Sequence, residues 1–103
     1  MMDQPKTLAF SAEPGQAALT MLEVIAVARR AFTTMNGGRI DAVANCAQTE
    51  GGDWRVVIDV IESAAKIGRN DLLCAYEIRV TPQGRVGGFQ RLGRYHREEG
   101  APS

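Results

Sequence analysis

With 103 residues the chain has room for one small domain built on one core. Its 45% hydrophobic and 23% charged content excludes a disordered polymer, and twelve basic against twelve acidic residues argue against a general polyanion binder. Two cysteines, Cys46 and Cys74, lacking CxxC spacing, read as reduced thiols of a cytoplasmic protein, with a single bridge left open.

The opening MMDQPKTLAF lacks a basic stretch followed by a long apolar run, so it does not read as a secretory signal. Residues 1–14 contain Pro5 and Pro14 and show no sustained period; they are expected to form a flexible leader. Residues 15–98 are expected to make a single α+β domain, and residues 99–103 a flexible tail. The most apolar run, 17–28, contains Glu23 and falls short of the about 20 residues a membrane span needs, so no membrane span is expected.

From Gln16 to Met35 the spacing predicts a long helix, with Met21, Ile25, Ala28, Phe32 and Met35 on its buried face. Asn36-Gly37-Gly38 then offers a residue that tolerates positive φ and stops it. The polar residues Gln16, Thr20, Glu23, Arg30 and Thr34 form only a narrow stripe, interrupted by Val27. Leu19, Leu22 and Ala26 fall outside the first face. They belong either to a helix sunk in its own core or to a second apolar flank open to a partner protein.

After the glycines the period changes to two. Residues 40–49 predict a weak strand, and 50–53 a turn. Residues 54–62 predict the clearest strand, with Trp54, Val56, Ile58 and Val60 facing one way and Arg55, Val57, Asp59 and Ile61 the other. A loop over 63–71 leads to a strand over 72–81, with Leu72, Cys74, Tyr76, Ile78 and Val80 on one face. Pro82-Gln83-Gly84 makes a tight turn into a last strand over 85–97, where Gly87, Gly88 and Gly93 predict a bulge or strong twist. One N-terminal helix packed on a four-stranded antiparallel meander sheet, an α+β fold, buries the apolar side of both elements.

Enzyme signatures are sparse. His96 is the only histidine, so histidine-based metal clusters are excluded; both cysteines share parity with core residues, where thiols are inert. Neither GxxxxGK[ST] nor GxGxxG occurs. Asp59 and Glu62 read as solvated strand positions in preference to an acid/base pair. No catalytic residue, cofactor or metal site is expected.

The charge layout carries more information. Arg79 to Arg97 holds five arginines and no acid, whereas Asp41 to Glu77 holds seven acids against three basic residues. Cross-strand pairing between these stretches would steady the sheet by about 0.2–1 kcal/mol per pair. Ten of the twelve basic residues are arginine, whose planar fork suits carboxylates and aromatic faces at protein interfaces. RNA-binding sheets carry more positive charge and a recognisable motif, so nucleic acid is not expected as a partner. The stretch FQRLGRYHRE, residues 89–98, therefore reads as a docking or sheet-pairing strand. Arg91, Arg94, Tyr95 and Arg97, with Phe89, Tyr76 and Glu77, are the candidate partner-binding residues. Pairing of these arginines with Glu77 and Asp59 inside the monomer is the alternative.

The stretch from Gly51 to Arg97, about half the chain, resembles the gas vesicle protein O family. Trp54 opens a hydrophobic strand that ends at Glu62; Asp71, Leu73, Tyr76 and Glu77 match its Asp-x-Leu-x-x-Tyr-Glu pattern. Gly84 occupies the short turn, and Phe89, Arg91, Arg94, Tyr95 and Arg97 match its arginine-tyrosine close. The chain departs from the family in the AAKIGRND loop, where a proline is usual, and at Asp59, where glutamate is usual. The resemblance implies a cytoplasmic, non-enzymatic accessory protein of gas vesicle assembly that contacts other gas vesicle proteins and associates with the vesicle. Pairing of two copies through an exposed sheet edge stays open. The order of elements is also similar to small peptidase-propeptide-type domains, which would imply a ligand- or peptide-binding regulatory module.

Overall fold

A reciprocal pair of hydrogen bonds decides where the helix begins. Glu23 N–H donates to the Thr20 hydroxyl at 3.2 Å, and Thr20 N–H donates to the Glu23 carboxylate at 2.8 Å. This capping box satisfies two backbone donors and sets Thr20 in an extended conformation, so α1 is Met21–Asn36. The helix is 16 residues long, shorter than the span expected from Gln16. The computed structural model describes residues 19–100; the expected leader, residues 16–18 and the end of the expected tail lie outside the described residues. Gly37 ends α1 as expected, with φ 72° and its N–H donating to the Thr33 carbonyl at 3.1 Å.

The strands follow as β1 (Arg39–Gln48), β2 (Trp54–Ser63), β3 (Leu72–Val80) and β4 (Val86–His96). They form one antiparallel sheet in the order β1-β2-β3-β4, the α+β meander that the sequence predicts. Each short turn follows the same scheme. Gly84 N–H donates to Thr81 O at 2.9 Å and Thr81 N–H to Arg85 O at 2.7 Å, with Gly84 at φ 91° closing the hairpin. Leu19, entering the helix, packs against this turn; its Cδ1 lies 3.0 Å from where a Gly84 Cβ would stand.

Under α1 lie Trp54, Val56, Ile58 and Val60 of β2 and Ile78 and Val80 of β3, the alternation read from the sequence. From the helix, Val24, Ala28 and Phe32 are fully buried against them. Met21 and Met35, expected on that face, are instead exposed in the terminal turns of α1. Phe32, Tyr76 and Phe89 form an aromatic triangle with ring centroids 5.1 to 5.8 Å apart.

Both edge strands are bulged. Asp41 and Ala44 are extra residues in β1 relative to β2, which puts Ile40, Val43 and Cys46 against the helix at a spacing of three. That spacing is why β1 reads weakly at period two. In β4 the extra residues are Gly87 and Leu92, within the glycine-marked region. Among the described residues no helix is long and apolar enough to cross a membrane.

Phe32 is the hinge of this packing. Phe32→Ala is expected to lower the free energy of unfolding by about 3–5 kcal/mol in urea titration. Met35→Ala, in the exposed last turn, should shift it by no more than about 0.5 kcal/mol.

Candidate functional site

Cα partners on neighbouring strands share a face, so register assigns each β4 side chain to a side. Phe89, Arg91, Arg94 and His96 pair with Ile78, Tyr76, Cys74 and Leu72, on the helix side. Gln90, Gly93 and Tyr95 pair with Glu77, Ala75 and Leu73, on the opposite, outer side. The bulge at Leu92 brings Arg91 and Arg94, three residues apart, to the same side. The seven candidate residues therefore divide: Tyr76, Phe89, Arg91 and Arg94 on the helix side, Glu77, Tyr95 and Arg97 on the outer one.

The outer group is bound up within the monomer. Arg97 donates to Asp41 from Nη1 at 3.1 Å and Nη2 at 2.9 Å, and to Asp71 from Nε at 3.2 Å and Nη2 at 2.8 Å. These bonds to Asp41 and Asp71 raise the pKa of Arg97. The Asp71 carboxyl is held below its ordinary pKa by the Ala65 N–H, 2.7 Å away, and then by Arg97. Arg97 N–H also donates to the Asp71 carbonyl at 2.9 Å, and Glu98 N–H to the Asn70 side chain at 2.9 Å. The end of β4 is thereby pinned to the β2–β3 loop and to the far edge strand.

Strands about 4.8 Å apart place β1 and β4 about 14 Å from each other in a flat sheet, so bonds from Arg97 to Asp41 require the sheet to curl toward its outer face. Tyr95 reaches the same way. Asp59 on β2 is near enough to act on its hydroxyl, and β3 lies between, so the ring passes over Leu73 and Ala75. Burial, followed by the neighbouring Asp59 carboxylate, raises the Tyr95 pKa. Asp59 is only 7% exposed and Val57, Leu73 and Ala75 are buried with it. One expectation is corrected here: Asp59 is not a solvated strand position. The cause is the same curl, with Tyr95 and Arg97 laid across it. Asp59 Oδ1 has no hydrogen-bond partner among the described residues, nor has Trp54 Nε1.

The ion pairs also differ from those expected inside the monomer. Glu77 is held by Arg55 and by Arg79 at 3.1 Å, so it is not available to the β4 arginines. Asp59 is buried beside Tyr95 and makes no ion pair among the described residues. The acids that Arg97 and Arg94 find are Asp41, Asp71 and Glu62. Asp41 carries no signal in the sequence, since only the bulge and the curl bring it within reach from 56 positions away.

The helix-side group is more open. Phe89 is 41% exposed despite its ring contacts, and Arg91 is exposed with no ion pair among the described residues. Arg94 bonds Glu62 at 2.8 Å, a solvent-facing pair of the kind that contributes at most about 1 kcal/mol. His96 Nδ1 lies 3.4 Å from Glu99. Tyr76 is half-buried beneath Phe89 and Arg91, and burial raises its pKa. Burial likewise raises the Cys46 pKa, which disfavours its reactive thiolate. This side presents an aromatic edge beside planar cations, chemistry suited to gripping another chain.

A family model described as gas vesicle synthesis protein GvpO matches residues 9–101. Over 85 residues the chain is 26% identical to a protein of Streptomyces sp. (strain CB03234) named gas vesicle protein O, covering 82% of this chain and 66% of the relative. Over 70 residues it is 29% identical to gas vesicle protein O of Haloferax mediterranei, covering 68% of this chain and 50% of the relative. The chain thus spans just under two thirds of one relative and half of the other. No solved structure gives a match.

Arg97→Ala is expected to lower the melting temperature more than Arg94→Ala, as only Arg97 ties three parts of the fold together. A second expectation concerns acid. A carboxyl whose folded pKa is depressed stabilises the fold fully above its unfolded value of about 3.9, and that contribution is lost as pH falls toward the folded value. Urea unfolding between pH 6 and pH 2 should therefore show a smaller loss of stability in Asp71→Asn than in the parent chain.

Proposed function

The chain belongs to the gas vesicle synthesis protein GvpO family, and from that premise we propose that it is an accessory factor of gas vesicle assembly that works by binding other gas vesicle proteins. The assembly role is supported by a family match that covers nearly the whole chain. The binding mechanism is supported by one observation above all: on the helix side of β4, Phe89 and Arg91 stay open to solvent, whereas Arg97 at its end is consumed by the fold.

In this reading the seven candidate residues have two roles. Phe89, Arg91 and Arg94 make the contact, with Tyr76 supporting them from below. Arg97, Tyr95 and Glu77 shape the sheet that presents them. Arginine beside an aromatic ring is a common anchor at protein interfaces, where the ring supplies buried area and the guanidinium a bidentate bond to carboxylate. The factor acts in the cytoplasm, beside the growing vesicle, with no reaction of its own.

The test uses vesicle-forming cells that lack the chain and are complemented with variants. The parent chain should restore buoyancy, and an Arg91→Ala, Arg94→Ala double variant should not, although its melting temperature is unchanged and it no longer captures its partner in pull-down. A collapse in stability of the double variant would assign the two arginines a structural role. Normal vesicles in cells without the chain would overturn the assembly role itself.

A further inference from the structure

On the helix side, α1 leaves part of β4 uncovered. Phe32 lies over Phe89, with ring centroids 5.8 Å apart, which identifies the flank of α1 that faces β4. Ile25 and Met21 stand about two and three turns before Phe32, on nearly the same bearing. That flank therefore carries half-buried Ile25 and Met21, 47% exposed, with Leu22, 79% exposed, further round. From β4, Val86 and Phe89 lie on the same side of the sheet as the helix, both more than a third exposed. The strip between them and α1 is called the channel. The channel has apolar walls in the described part of the chain, and such surface in water is a docking signal.

Its rim is cationic. Arg29 is exposed one turn beyond Ile25, and Arg91 follows Phe89 on the same side of β4. Among the described residues neither makes an ion pair, and Glu62, the acid beside Arg91, is engaged by Arg94. A second copy is a poor occupant, since it would set arginine against arginine. An added strand is a poor one too. The bulges at Gly87 and Leu92 leave only Gly88 to Arg91 in regular register, too short a run for backbone pairing. The occupant must be gripped by side chains. Val86 to Arg91 covers about 16 Å of strand, the length of about three helical turns.

We infer that the channel between α1 and β4 binds an acidic amphipathic helix of a partner protein, with its apolar stripe on Met21, Ile25, Val86 and Phe89 and its carboxylates on Arg29 and Arg91. Helices that dock in grooves place anchors at i, i+3 or i+4, and i+7, which fits a channel of this length. The inference rests on the reading that this chain works by binding other gas vesicle proteins, and it names the surface and the chemistry of what is bound.

Photo-crosslinking tests it in the full-length chain. p-Benzoylphenylalanine replaces Leu22 in one chain and Val86 in another, each expressed in vesicle-forming cells that lack the parent, and crosslinked peptides are sequenced by mass spectrometry. The expected product is a segment of a different gas vesicle protein with acids on one helical face and apolar residues on the other. Adding Arg91→Glu should cut its yield by about tenfold or more, with an unchanged melting temperature. Crosslinks to residues 1–18 of the same chain, to a second copy, or to a segment without acids would overturn the inference. So would the lack of a crosslink from either probe in a chain that restores vesicles. A Phe89→Ser, Arg91→Glu chain that restores vesicles like the parent would remove the channel and leave the assembly role standing. Normal vesicles without any chain would remove the assembly role.

Discussion

A helix covers one face of a sheet, and the other face must be reconciled with water. In this protein the second face holds Val57, Leu73, Ala75 and Asp59, all buried although α1 lies on the far side. Arg97 is what makes that arrangement work. Anchored just past β4, it reaches the loop acid Asp71 and the far-edge acid Asp41, and its bonds to both hold the sheet in a curl. Tyr95 follows the same path over β3 to Asp59. Lysine would serve less well, because its donors share one nitrogen, whereas Arg97 makes its four bonds from three.

The curl has consequences for β4. A strand alternates its side chains, so a sequence dense in arginine and tyrosine supplies both faces at once. Tyr95 and Arg97 fall outward and are spent on shape. Phe89 and Arg91 fall toward the helix and stay in solvent, and the bulge at Leu92 returns Arg94 to their side. Bulges in both edge strands also blunt the open ladders of the sheet, a common protection against edge-to-edge pairing. What remains for a partner is a side-chain surface along one edge of the helix–sheet interface. Scaffold and contact come from one strand, separated by its pleat and by the bulge at Leu92.

Much of the fold was legible because its strongest signals are local. The alternation of Trp54 to Val60 and of Cys74 to Val80 reports a half-buried strand directly, and Pro82-Gln83-Gly84 reports its own turn. The start of α1 was legible in principle, since Thr20 and Glu23 form the capping-box spacing, but apolar composition upstream outweighed it. The buried stripe was misassigned at its ends because periodicity shows which face is apolar, without showing how far the opposing sheet extends.

The sequence by itself determined the class of fold, the order of elements, the glycine stops and the strand that carries the arginines, since each depends on neighbours a few residues apart. Only the tertiary structure decided which arginines are consumed. Arg97 finds Asp41 across the whole sheet through a bulge, a curl and the register of three strand pairs. Those are sums of small local offsets, and a one-residue change in any of them would move Asp41 out of reach and turn a different β4 side chain toward solvent.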